Sequence, residues 1–170
     1  MQYTEEEGTQ GICPEGWHVP TDAEWHILER QLASPNESCE AQRPGIVGPI
    51  EWQCKPAAPK MAGNKSLWEN NILTEHESFG SSGLNVLPAG YKQPNGDPEE
   101  DFYARGERSF LWSSTKISTS TTDRTPQEIK DSIDIKWGDV WGRHLLYKIN
   151  TGVFRQDYSP QYSFSIRCIK

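Results

Sequence analysis

Along the first third of the chain, apolar residues recur at helical spacing once. Trp25, Leu28 and Leu32 stand at i, i+3 and i+7, which places them on one helix face. Thr21 precedes them with Glu24 three positions on. That is a capping box, in which the hydroxyl and the carboxylate each satisfy a backbone N–H of the first turn. Asp22 and Glu24 also lie where the helix macrodipole favours negative charge. The pattern predicts a helix over about 22–33 that buries a tryptophan-led stripe. Ahead of it, Cys13-Pro14-Glu15-Gly16-Trp17 is turn chemistry, since proline fixes φ and glycine permits φ > 0.

Periodicity then disappears. Residues 34–61 carry Pro35, Pro44, Pro49, Pro56 and Pro59 and read as irregular. A short amphipathic run at 66–73 (SLWENNIL) predicts a second helix, and 83–91 (GLNVLPAGY) a buried strand and turn. SFLWSS at 109–114 reads as a core strand, and 116–131 as a surface excursion rich in Ser and Thr. RHLLYKI and GVFRQD flank Asn150-Thr151-Gly152, a hairpin signal, and SFSIRCIK closes the chain as a strand. Helices come first and strands last, an order that predicts an α+β fold. In it, two N-terminal helices pack on a small twisted antiparallel sheet with long loops.

Composition bounds this picture. At 170 residues the chain fits a single domain spanning 1–170, with 1–11 expected to be flexible or derived from cloning. Mean hydropathy is -0.77, and no stretch approaches the roughly 20 apolar residues of a membrane helix. Met1 to Gly11 is acidic and lacks the apolar centre of a secretory leader, so the expectation is of a leader already removed. The formal charge of -7 argues against nucleic acid or an anionic membrane as a partner. That charge is uneven. Residues 143–170 carry +4 against -11 for the rest.

Cys13, Cys39, Cys54 and Cys168 contain no C-x-x-C and have no neighbouring His pair at zinc spacing. An even count points to two disulfides and therefore to an oxidising compartment. Three connectivities are open. The economical one closes Cys39–Cys54 locally and ties Cys13 to Cys168, worth about 3 and about 5 kcal/mol on the loop-entropy model.

CPEGWHVPTDAEW, GLNVLPAGY, FLWSST and FSIRC, in that order, resemble the boxes of the FISUMP-type domain, named from the major paralogous domain of Fibrobacter. That group is similar to the formylglycine-generating-enzyme branch of C-type-lectin-like folds. The resemblance runs from about Gly11 to Lys170. It implies a compact C-type-lectin-like α+β domain whose N- and C-terminal parts meet, in agreement with a Cys13–Cys168 pairing. It also implies a secreted protein or surface lipoprotein of a Bacteroidetes-like bacterium. Three features depart from the pattern: residues 1–11 do not match the segment that usually precedes the Cys-Pro box, Ser163 stands where the family commonly has glycine, and the Cys39–Cys54 region looks like an insertion.

The formylglycine-generating enzymes use a close pair of reactive cysteines late in the fold. Here only Cys168 lies late, so that chemistry does not carry over and no catalytic residue is assigned. Ser113-Ser114-Thr115-Lys116 matches S-x-x-K but lacks the accompanying Ser-Asp-Asn and Lys-Thr-Gly elements; a strand end is the simpler reading. His18, His26, His76 and His144 are scattered and read as structural or surface residues. Gln93-Pro94-Asn95 resembles the triplet with which calcium-dependent lectins bind sugar, and Asp97, Glu99, Glu100 and Asp101 offer the oxygens calcium prefers. An acidic solvated loop is the alternative there, and no cofactor or metal is assigned. Trp17, Trp25 and Trp112 fall in the family boxes and, with Trp68, are expected in the core.

The last quarter of the chain has the composition of binding loops, with tyrosines, small polar residues and arginines. Some family relatives place retroelement-made diversity on this segment. Arg143, Tyr147, Arg155, Asp157, Tyr158, Gln161 and Tyr162 are the candidate recognition face, with Arg167 a structural partner in the final strand. The reading is an extracytoplasmic, non-enzymatic module, on the cell surface or in the periplasm, that binds a glycan or protein ligand. The alternatives are an enzyme on the related fold, a diversified receptor-binding protein and a structural module of a larger surface protein.

Overall fold

The computed structural model describes residues 6–40, 53–94, 96, 102–116, 140–146 and 151–170. Helix α1 spans Asp22–Leu32. Its capping box is formed: the Thr21 hydroxyl accepts from the Glu24 N–H at 3.1 Å, and the Glu24 carboxylate accepts from the Thr21 N–H at 2.8 Å. The helix ends ahead of Pro35, whose ring disfavours helical backbone at Ser34. The face it buries differs from the expected stripe. Trp25 and Glu29 are its buried residues, while Leu28 and Leu32 are half-buried at the margin of the core. The Trp25 indole N–H donates to the Trp112 carbonyl at 3.2 Å, tying the helix to the sheet.

The middle of the chain departs most from expectation. Inside the proline-rich stretch, Ala57–Met61 forms a short helix, α2, with Ala57, Ala58, Pro59 and Met61 buried. Pro59 lies in its first turn, where the absent N–H is not needed. The helix expected over 66–73 is broken into a 3₁₀ turn, Lys65–Leu67, and the single-turn helix α3, Ile72–Glu75. Asn71 is the reason. Its side chain accepts from the N–H groups of Leu73 and Thr74 and caps a new helix, while the Glu69 N–H is drawn to the Gly106 carbonyl. Within 83–91 no strand forms; Val86, Gly90 and Tyr91 make single bridges to Ala62, Ser109 and Tyr103.

Strands β1 (Arg108–Lys116), β2 (Val140–Leu146) and β3 (Phe154–Tyr158) form an antiparallel sheet in the order β1-β2-β3. The expected hairpin is the β2–β3 pair; of its connection, residues 147–150 lie outside the described residues, as does nearly all of the 116–131 excursion. The final segment is not a continuous strand. Ser163 bridges Lys92, Ser165 runs parallel beside Leu111 and Ile169 pairs with His18. One core cluster, including Trp25, Met61, Leu73, Val86, Leu111, Leu145 and Val153, fills the helical side of the sheet. A second, of Phe110, Trp112, Val140 and Phe164, fills the other.

Two disulfides close the fold, Cys13–Cys168 and Cys39–Cys54. With the His18–Ile169 bridge, the first brings the N-terminal part against the end of the chain. Residues 6–11, expected to be loose, dock there as well: the Gly8 N–H donates to Ser114 Oγ at 3.3 Å, and the Thr115 hydroxyl donates to Glu7. Trp17 is 41% exposed, against the expectation that it lies in the core. It occupies the outer turn between Cys13 and the His18 bridge, whereas Trp25, Trp68 and Trp112 are buried.

Candidate functional site

Side chains alternate across the sheet, so its two faces carry different chemistry. Arg143 of β2 and Arg155 of β3 point to α1. Arg143 is fully buried. Its Nη1 donates to Asp22 Oδ1 at 2.6 Å, its Nη2 to the Asp22 carbonyl at 3.1 Å and its Nε to the buried Glu29 carboxylate. The other edge of Asp22 takes Arg155, with Nε to Oδ1 at 2.8 Å and Nη2 to Oδ2 at 2.8 Å. The Arg155 guanidinium also lies 3.3 Å from the centre of the Trp141 ring, a cation–π contact. Burial alone would raise the Asp22 pKa; Arg155 and Arg143 outweigh it and hold the carboxyl below its usual value. Burial likewise opposes the Arg143 cation, and Glu29 and Asp22 more than restore it. Such a buried pair specifies how helix and sheet meet, and is strongly destabilising only when one partner is removed.

The opposite face forms an aromatic cup of 240 Å³. Phe110 and His144 are stacked at its floor, ring centres 4.1 Å apart. Phe164 lies across Phe110 at 4.9 Å. Tyr91 meets Phe110 edge-on at 4.8 Å, and Tyr158 meets Phe164 edge-on at 4.7 Å. Tyr162 closes the ring between them, 6.1 Å from Tyr91 and 6.3 Å from Tyr158. Backbone bonds between Lys92 and Ser163, at 3.2 and 3.0 Å, zip the Tyr91 and Tyr162 segments together.

Two glycines make room for these rings. At Gly142 an added Cβ would come within 2.9 Å of the Tyr158 ring, a close approach of the kind that a strand glycine permits. Gly90, at φ +68, delivers Tyr91 to the rim; a Cβ there would meet the Tyr103 carbonyl oxygen at 2.1 Å.

The polar lining is Arg108, His144 and Gln156. Burial, reinforced by the Arg108 charge, pushes the His144 pKa down to about 3, so its imidazole is neutral near pH 7. Burial, with Asp157 nearby, pushes the Tyr158 phenol well above its ordinary value, so it stays a proton donor; it donates to Gln156 Oε1 at 3.3 Å. Arg108 is the charged group of this lining. Its Nε is buried without a hydrogen-bond partner, and its guanidinium makes no ion pair among the described residues. A buried donor left unmade costs about 1–3 kcal/mol.

The residues expected to form one recognition face are therefore divided. Tyr158 and Tyr162 come together in the cup, and Gln161 is exposed on the turn beside them. Arg143 and Arg155 are turned inward, and Asp157, by strand alternation, shares the Arg155 face. Tyr147 lies outside the described residues. Arg167 donates to the Asn85 carbonyl at 2.5 Å. Sequence reasoning missed Tyr91, Arg108, His144 and Gln156. A signal existed for three of them: Arg108 and Phe110, His144, and Gln156 and Tyr158 each sit in phase with a strand's period of two.

Other candidate chemistry finds less support. Ser113, of the S-x-x-K match, is buried and donates to the Trp141 carbonyl at 2.7 Å. In the acidic loop, Asn95, Asp97, Glu99, Glu100 and Asp101 lie outside the described residues. Among the described residues His26, Cys39 and Cys54 bring ligand atoms within 4.8 Å of one another, but both sulfurs are committed to a disulfide. No described helix is long and apolar enough to cross a membrane.

A disulfide-closed α+β domain with, among the described residues, three α-helices, a 3₁₀ turn, a three-stranded antiparallel sheet and an aromatic cup is the class these features define. The chain belongs to the Fibrobacter succinogenes major domain family, whose model matches residues 2–170. Neither the curated proteins nor the solved structures gave a match.

Proposed function

We propose that this domain is an extracytoplasmic, non-enzymatic binding module that recognises a glycan or protein ligand through the aromatic cup. The observation that carries this reading is Arg108, a cation that makes no ion pair among the described residues and lies among aromatic walls. Packing alone would favour an apolar residue there, whereas a ligand supplies the missing acceptor. Ligand pockets characteristically combine an apolar lining with a few convergent polar groups, and tyrosine rings serve as rigid contact anchors. Among the described residues the cup lining contains no serine, cysteine or carboxylate, which fits binding better than acyl or glycosyl transfer. The two disulfides belong to a protein of an oxidising compartment. A C-type-lectin-like architecture is part of the same proposal, supported by the covalently joined terminal parts and the small sheet packed on α1.

The test is a screen of immobilised glycans and surface proteins with the disulfide-intact domain and its Tyr162→Ala variant. Ligands lost with Tyr162 at unchanged melting temperature support the cup. Hits that survive in Tyr162→Ala and Arg108→Gln place recognition elsewhere. A full screen without a hit returns the domain to a structural role.

A further inference from the structure

We infer that the cup takes a carboxylated sugar ring, a hexuronate residue of an acidic glycan. The inference rests on reading the cup as a ligand site and adds the chemical class of the occupant. Among the described residues Arg108 is the one cation in the lining, and no carboxylate opposes it. The other titratable groups facing the cavity among the described residues are His144 and the phenols of Tyr91, Tyr158 and Tyr162. With His144 neutral, the described lining carries a single positive charge near pH 7 and is complementary to a single negative one. A planar guanidinium with a free Nε–H offers a carboxylate the paired donors it accepts best.

The rest of the lining argues for a ring attached to that carboxylate. Phe110, Tyr158, Tyr162 and Tyr91 surround the space with apolar faces and edges that a phosphate, with oxygens on every side, would leave unused. At 240 Å³ the cup has room for one ring. Tyrosine hydroxyls and the Gln156 amide stand among the rings as donors and acceptors, the mixture that ring hydroxyls require and a purely aromatic acid would not satisfy.

Calorimetric titration of the disulfide-intact domain with short oligomers of galacturonate and of glucuronate, against neutral galactose and glucose oligomers of equal length, tests this. The expected result is binding of an acidic oligomer at least about tenfold tighter than its neutral counterpart, weakened by salt. Arg108→Gln should abolish that difference while leaving the melting temperature in place, since the Arg108 side chain makes no protein hydrogen bond among the described residues. The free monosaccharides form a second arm: their binding alone would assign the site to a soluble sugar acid, and binding of oligomers alone to a polymer. Equal binding of acidic and neutral oligomers, lost in Tyr162→Ala, would overturn the carboxylate and keep the cup. Binding of acidic oligomers unaffected by either substitution would overturn both. Failure of every sugar, alongside a cup-dependent protein from the wider screen, would overturn the sugar class alone.

Discussion

Arg143 and Arg155 stand directly opposite one another on β2 and β3, and the single carboxylate of Asp22 holds both. Like charges in register across two strands repel. Here they are tolerated because α1 inserts Asp22 between them and brings Glu29, two turns later on the same face, to the inner arginine. The basic excess of the last quarter is thus partly spent inside the fold.

Removing that carboxylate should be costly. Asp22→Asn removes the buried carboxylate that Arg143 and Arg155 share, and urea unfolding should show a loss of about 3–5 kcal/mol. Pairing it with Arg155→Gln should recover part of the loss, giving a coupling energy of about 0.5–3 kcal/mol. Additive losses would mean that Asp22 and Arg155 do not act on one another.

Two groups separate the acid response into two windows. His144 is neutral in the fold, with its pKa lowered from 6.5 to about 3, while the unfolded chain takes up a proton near 6.5. Its contribution is complete above about pH 6.5 and declines as pH falls towards about 3, by about 1.4 kcal/mol per unit. Asp22, with a lowered pKa, contributes fully above the ordinary carboxylate value and loses its contribution only below about pH 4. Urea midpoints at pH 7 and pH 5 should therefore show roughly 2 kcal/mol more loss in the wild type than in His144→Phe. Equal slopes would assign the loss to other groups.

At Gly142 the backbone has no room for a methyl group against the Tyr158 ring. Gly142→Ala should cost about 1–3 kcal/mol, as overpacking does, and alter the near-ultraviolet circular dichroism of the tyrosines. An unchanged spectrum would mean that the ring does not lie over the strand.

On α1, Thr21→Ala removes one hydroxyl of a formed capping box and should cost about 1 kcal/mol. Trp25→Ala empties a site 2% exposed and should cost about 3–5 kcal/mol. Chemical denaturation of both variants checks the ordering, and similar small losses would contradict the packing of Trp25.

What was legible in the sequence was local or periodic. Thr21 and Glu24 satisfy one another within a single turn, so their residue types suffice to start α1. The strand at 109–114 and the strand pair flanking Asn150-Thr151-Gly152 follow from alternation and turn chemistry over a few residues. Asn71 shows the limit even at short range, because a side chain that caps one helix also ends the amphipathic run before it. The orientation of the arginines was not legible. An arginine on a strand is stable inward or outward according to whether a carboxylate waits for it, and Asp22 lies 121 residues from Arg143 and 133 from Arg155. Nothing near Arg143 in the chain distinguishes it from a surface cation. The cup has the same origin. Tyr91, Arg108, His144, Gln156 and Tyr162 come from separate stretches and meet only when the sheet pairs, Lys92 bonds to Ser163, and Cys13 anchors the end of the chain. The sequence by itself determined the elements and their periodic faces; the tertiary structure decided which face each charge turned to, because the partners that stabilise a buried charge are chosen by long-range packing.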